Sequence, residues 1–216
     1  MTKPVVLVEP TVSSLVERAR GLVVPGRRRI LGIAGPPGAG KSTLAEAVCA
    51  ALGPSTAALV PMDGFHLSND ALVRIGLRDR KGAPETFDAP GYVAMLRQVR
   101  TSLGQRVLVP SFDRDAEAVV PDAIEVPAGV PLVVAEGNYL LLDEAPWSAI
   151  RELLDEAWYL RADASRVPRL IARHVAFGKP PEAARDWVLR SDEANTARIA
   201  PSEARADVVI EGMPRL

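Results

Sequence analysis

Cysteine occurs once in the 216-residue chain, at Cys49. A lone thiol forms no internal disulfide, and a CxxC pair or a cysteine-based zinc cluster is excluded. The expected compartment is therefore a reducing cytosol. Lysine is nearly as scarce: it occurs only at Lys3, Lys41, Lys81 and Lys179, so arginine carries almost all the positive charge. Arginine suits bidentate contacts to phosphate. Neither sign of charge is in excess, and the formal net charge of −1 argues against a general nucleic-acid binder. Long apolar runs are missing too. The longest are interrupted, for example by Glu136, so no membrane span is expected. Residues 5–8 are broken too soon by Glu9-Pro10 to read as a signal peptide. There is no internal repeat and no low-complexity tract. At 48% hydrophobic and 25% charged residues the composition is globular, enough for one domain with an insertion.

Against these absences stands Gly35-Pro36-Pro37-Gly38-Ala39-Gly40-Lys41-Ser42, which fits the Walker A pattern G-x-x-x-x-G-K-[ST]. The apolar run at 30–34 reads as a buried strand, and the helix formers at 43–52 are stopped by Gly53-Pro54. Strand, glycine loop and helix aim backbone N–H groups and a helix dipole at a phosphate. Pro36 and Pro37 have no N–H, so the donors are expected from Gly38 onward. The loop points to a nucleoside triphosphate, without saying what happens to its γ-phosphate.

Carboxylates recur where strands end. Residues 57–61 read as a second strand and run into Met62-Asp63-Gly64-Phe65-His66. In open α/β sheets ligands bind beyond the carboxyl ends of the strands, which favours Asp63 as a site residue over a plain Asp-Gly turn. Residues 132–136 form an apolar strand ending at Glu136, the form of a Walker B segment with Glu in place of Asp. A carboxylate at a buried strand end is costly without a cation. Residues 11–22 read as a helix, 67–90 as loop with a short helix near 71–75, and 92–103 as a helix. Asp88 either caps that helix or faces a substrate hydroxyl, since the same oxygens serve both. Residues 106–110, 117–120 and 124–126 read as a small β insertion, 147–154 as a helix, and 155–160 and 207–210 as further strands. Residues 164–177 and 182–200 read as two helices hinged at Gly178-Lys179-Pro180-Pro181. Arg169 and Arg173 share a helix face there, and a hinged, Arg-bearing pair suits a lid that closes over phosphates. Most of the remaining lid arginines are expected to be solvated, and so are Arg27-Arg28-Arg29 before the first strand. The expected architecture is α/β: a three-layer P-loop NTPase fold over residues 1–216. It has a mostly parallel sheet of about five core strands, a substrate-binding insertion at 63–130 and a helical lid at 163–200.

Taken together, residues 35–42, 62–66, 87–88 and 133–139 resemble the phosphoribulokinase/uridine kinase/pantothenate kinase family of P-loop kinases, over most of 28–211. Asp63 matches the family's catalytic aspartate. Phe87-Asp88-Ala89-Pro90 is similar to the element that binds ribose in uridine kinases, and Pro110-Ser111-Phe112-Asp113 resembles their Pro-x-Tyr-Asp segment with Phe for Tyr. Glu117 stands where those enzymes place a base-contacting His, a departure that tells against uridine. Asp63-Gly64-Phe65-His66 is also similar to pantothenate kinases, whose other substrate motifs are not evident. The likeness extends to the compact bacterial branch described as nucleoside/nucleotide kinase-like or fructose-transport-associated. The resemblance implies ATP and Mg²⁺, a small-molecule hydroxyl acceptor, no nucleic-acid or membrane partner, and a dimer or larger assembly.

In this reading Gly35, Gly38, Ala39, Gly40, Lys41, Ser42 and Thr43 hold the triphosphate, with Arg169. Lys41 and Arg173 steady charge on the transferring group, and Asp63 accepts the hydroxyl proton. Ser42 and Glu136 hold Mg²⁺, while Asp63, His66, Phe87, Asp88, Glu117 and Tyr139 form the substrate pocket. The rivals are a regulatory NTPase and a nucleotide-binding module without catalysis. A switch GTPase would bring an Asn-Lys-x-Asp segment and a metallochaperone paired Cys or His, which the chain lacks.

Overall fold

In the computed structural model, which describes residues 3–212 and Pro214, the elements run in chain order as follows. β1 (Val5–Val8), α1 (Val12–Arg20), β2 (Arg29–Ala34), α2 (Lys41–Leu52) and β3 (Ala57–Pro61) come first. They are followed by α3 (Asn69–Arg74), α4 (Ala89–Thr101), β4 (Val107–Asp113), β5 (Ala118–Val126) and β6 (Leu132–Glu136). β7 (Glu156–Leu160), α5 (Arg166–Ala176), α6 (Pro181–Trp187), α7 (Glu193–Ile199) and β8 (Val208–Glu211) complete the chain.

Six strands form one sheet in the order β1-β8-β7-β2-β6-β3, with every pairing parallel. Parallel strands need crossover connections, and the helices supplying them cover both faces. The side-chain period of two then divides the buried residues into two cores. Leu31, Ile33, Val134 and Trp158 pack with Leu15, Leu44 and Val48 of α1 and α2. Ile30, Val133, Ala135 and Val60 face the other way, onto Tyr92, Leu96 and Val99 of α4. The five expected strands are all present, and β1 is a sixth that sequence reading left out. It sits at the sheet edge with Val5, Val6 and Val8 exposed.

The insertion is an antiparallel β4–β5 hairpin in which the short runs at 117–120 and 124–126 belong to one strand. It lies against the turn after β3: a Cβ on Gly64 would stand 2.1 Å from the Pro110 carbonyl oxygen, so only glycine permits this approach. Residues 147–153 form a 3₁₀ helix rather than an α-helix. The second lid helix is α6 and α7 joined through one π turn at Val188–Asp192.

Two arginines of these groups are buried, against the expectation for Arg28. Arg28 is buried, and its guanidinium donates to the carbonyls of Val99, Ser102, Pro127 and Val130, tying the α4 end to the loop before β6. Arg166 of the lid is also buried, paired with Glu193. A planar guanidinium with five donors can be buried when carbonyls and carboxylates meet it in plane, a match that sequence spacing does not reveal. Among the described residues, no helix is long and apolar enough to cross a membrane.

Candidate active site

Strand register places the chemistry. Glu136, the last residue of β6, lies opposite Ile33 of β2 on one side and Pro61 of β3 on the other. Two residues beyond Ile33 the glycine loop starts, and two residues beyond Pro61 stands Asp63. Loop, Asp63 and Glu136 therefore share one level above the sheet, and all three border an open cleft of about 610 Å³.

The loop meets the first turn of α2. That helix begins at Lys41 after Gly40 at φ 94°, with no side chain capping it, so its leading N–H groups are left for a ligand. Gly38, at φ 74°, packs under the lid: a Cβ there would stand 2.7 Å from Leu170 Cγ. Lid arginines also hold the loop's carbonyls, Arg166 that of Pro37 at 3.3 Å and Arg169 that of Gly38 at 3.1 Å. Gly38, Gly40, Lys41, Ser42 and Thr43 line the cleft, whereas Gly35 and Ala39 do not. Gly35 packs against the Leu160 carbonyl, and the Ala39 N–H donates to the Pro36 carbonyl at 3.2 Å.

Lys41 is buried and its ammonium donates to the Pro36 carbonyl at 2.9 Å. Burial lowers its pKa, against the opposing fields of Glu136 and Asp63. Glu136 is buried beside it, with the Ser42 hydroxyl near its carboxylate. Desolvation pushes the Glu136 carboxyl up to about 7, against the pull of Lys41. A carboxylate held that uncomfortably, with a hydroxyl beside it and phosphate-binding N–H groups adjacent, fits a hard divalent cation. Among the described residues no three His, Cys, Asp or Glu side chains converge as a metal site. Ser42 and Glu136 would thus leave the other positions to phosphate and water, as Mg²⁺ commonly does.

The opposite wall is aromatic. His66 stacks between Phe87 at 4.1 Å and Phe112 at 4.5 Å, centroid to centroid. Its Nδ1 lies 2.8 Å from the Asp63 carbonyl oxygen, which can only accept, so Nδ1 carries the proton. Burial lowers the His66 pKa, which keeps the ring neutral with Nε2 as an acceptor. The Asp63 carboxylate accepts from Arg114 at 2.7 Å, a partner that sequence reading missed. Arg114 directly follows the Phe112-Asp113 pair in the turn of the antiparallel hairpin, where the strand-end rule for parallel sheets gives no signal. Lys81 and Arg78, equally unremarked, also line this end.

The structure brings Asp63, His66, Phe87, Glu117, Glu136, Arg169 and Arg173 to the same cleft. The Arg173 guanidinium makes no hydrogen bond or ion pair with the described residues, while Arg169 is engaged by Asp163 as well as Gly38. Two expected pocket residues lie elsewhere. Asp88 is the N-cap of α4, its carboxylate accepting the Gly91 N–H at 2.9 Å, and it does not line the cleft. Tyr139 is fully buried and donates its hydroxyl to the Gly82 carbonyl, so it braces the 67–90 segment instead of facing a ligand. Glu117 sits at the rim, paired with Arg78 at 3.2 Å and Lys81 at 3.5 Å.

Known proteins resemble this chain. The uncharacterized Escherichia coli protein YggC is 37% identical over 194 residues, covering 88% of this chain and 80% of its own. A Schizosaccharomyces pombe protein provisionally named a uridine kinase is 33% identical over 216 residues, covering 94% and 92%. A solved structure from Silicibacter sp. TM1040, provisionally named a fructose transport system kinase, superposes with a TM-score of 0.84 at 34% identity, covering 92% of this chain and 98% of that one. The Phosphoribulokinase / Uridine kinase family profile matches residues 30–216, and the chain belongs to that family of P-loop kinases.

Proposed function

We propose that this protein transfers the γ-phosphoryl group of ATP to a hydroxyl of a small metabolite. The observation that most supports this is the meeting of Asp63 with the phosphate loop and Glu136 at one level of one cleft. Ser42 and Glu136 would hold Mg²⁺, which would supply charge neutralisation for the phosphates. The α2 N-terminus and Lys41 cradle the triphosphate. Asp63 takes the acceptor's proton as the hydroxyl oxygen attacks the γ-phosphorus in line; the bond to the bridging oxygen breaks and ADP departs with its electron pair. Arg173, uncommitted on the lid face, meets charge that develops on the transferring group. Segment 63–130 supplies the acceptor wall and 163–200 closes over it. A cytosolic setting suits the chain, since ATP is present there and a lone thiol stays reduced.

The test is ADP formation by the protein with Mg-ATP and a panel of sugars, sugar phosphates, hydroxy acids, nucleosides and pantothenate. Stimulation by one class of acceptor is the expected result. ADP release that no acceptor stimulates would point to a regulatory NTPase or a non-catalytic nucleotide binder.

A further inference from the structure

We infer that the acceptor carries a negative charge, a carboxylate or a phosphate, and that Arg114 receives it. This rests on the kinase reading above and names the substrate class of that same site.

Seven basic and four acidic side chains line the cleft, in a chain whose net charge is −1. Lys41, Arg169 and Arg173 lie on the phosphate-loop side. Among the described residues, Arg78, Lys81, Arg114 and Lys179 remain, with Asp63 and Glu117 near them; Glu136 sits beside Lys41, and Asp192 pairs with His174 and acts on Arg173. Lys81 is the most committed of these. Its side chain is 10% exposed, its ammonium sits 5.1 Å from the Phe112 ring centroid, and it donates to Asn69 Oδ1 at 2.8 Å. Its carboxylate partner, Glu117, is half exposed at 3.5 Å and is shared with Arg78. The Phe112 ring attracts the Lys81 ammonium, but the like charges of Arg78 and Lys179 oppose it, and an incoming anion relieves that repulsion.

A nucleobase fits this wall poorly. His66 is already packed between the Phe87 and Phe112 rings, tilted by 40° and 34° at centroid distances of 4.1 Å and 4.5 Å, which leaves no slot between them for a fourth ring. The ammonium of Lys81 lies over Phe112.

Arg114 links charge recognition to the chemistry. It spends one of its five N–H donors on Asp63 Oδ2, at 2.7 Å, and makes no other hydrogen bond with the described residues. While that pair stands, the carboxylate that should take the acceptor's proton is held by a cation. An anion on the acceptor gives Arg114 a competing, bidentate partner and frees Asp63 for the hydroxyl. A neutral acceptor leaves the pair intact.

The experiment fractionates a small-molecule metabolite extract, freed of endogenous nucleotides, into anionic and non-anionic pools and reads ADP formation with Mg-ATP. Matched pairs follow: glycerate against glycerol, ribose 5-phosphate against ribose, fructose 6-phosphate against fructose, pantothenate against its alcohol. The hydroxy-acid and phosphate arms separate the two anion types. The expected result is activity in the anionic pool, with the anionic member of the responding pair ahead by about 10- to 100-fold in kcat/KM. Arg114→Gln should reduce that preference to about threefold or less by raising KM for the anionic acceptor, with the KM for ATP within about twofold of wild type. Equal or better use of neutral acceptors overturns the inference and leaves the kinase reading standing. Equal losses on both members of a pair in Arg114→Gln reduce Arg114 to a residue that positions Asp63 and overturn its assignment here. ADP formation from neither pool defeats the kinase reading and this inference with it.

Discussion

Replacing Glu136 by Gln should make the unliganded protein less sensitive to alkali while weakening its hold on Mg-nucleotide. Burial raises the Glu136 carboxyl from the ordinary 4.5 to about 7. The folded chain therefore binds a proton here that the unfolded chain has already released. Stability from that proton is fully present below pH 4.5 and is lost as pH rises to about 7. The full interval corresponds to about 3 kcal/mol, of which roughly 1–3 kcal/mol is expected between pH 5 and pH 8. Gln cannot ionise, so the variant escapes this loss. Urea unfolding at pH 5 and pH 8 measures it: the stability of Glu136→Gln relative to wild type should rise by that amount between the two. Mg-ATP should reverse the order, since a cation at Glu136 favours its charged form. Parallel pH profiles for the two proteins would refute the burial argument. Equal stabilisation of both by Mg-ATP would remove Glu136 from the cation site.

Three further outcomes are expected. Lys41→Ala should still unfold cooperatively but lose about 10²–10³-fold in turnover, read by ADP release, because its ammonium is replaced by nothing at the phosphates. Arg173→Ala should lower kcat more than it raises the KM for ATP, since it is uncommitted in the resting cleft; steady-state kinetics showing a change in KM alone would assign it to ground-state binding. Asp88→Ala should cost about 1 kcal/mol in thermal or urea unfolding through the lost α4 cap, with kcat within about twofold of wild type.

Those residues also show how far the sequence could be read. Motifs tied to strand ends were legible, because a parallel sheet delivers every strand's carboxyl end to one side: the loop after β2, Asp63 after β3 and Glu136 on β6 all arrived together. Side-chain direction was not legible. Tyr139 follows Glu136 by three residues yet turns inward to Gly82, and Asp88 spends its carboxylate on Gly91. β1 escaped notice because four residues broken by Glu9-Pro10 carry too little pattern, and its pairing with β8 joins opposite ends of the chain. Arg28, Arg114 and Arg166 were hidden for the same reason: their partners lie 27 to 129 residues away in sequence. The lid boundaries at 164–177 and 182–200 were near those observed, since helical period and the Gly-Pro hinge are local signals.

The central claim is that Asp63 serves as the base of a transfer to an acceptor hydroxyl. Its most direct test compares ADP release by wild type and Asp63→Asn, each with and without the best acceptor. The substitution keeps size and hydrogen bonding and leaves the phosphate cradle untouched, so nucleotide binding should persist. Acceptor-dependent release should fall by about 10²–10⁴-fold. A variant that keeps the wild-type transfer rate, or a wild type that no acceptor stimulates, would contradict the account.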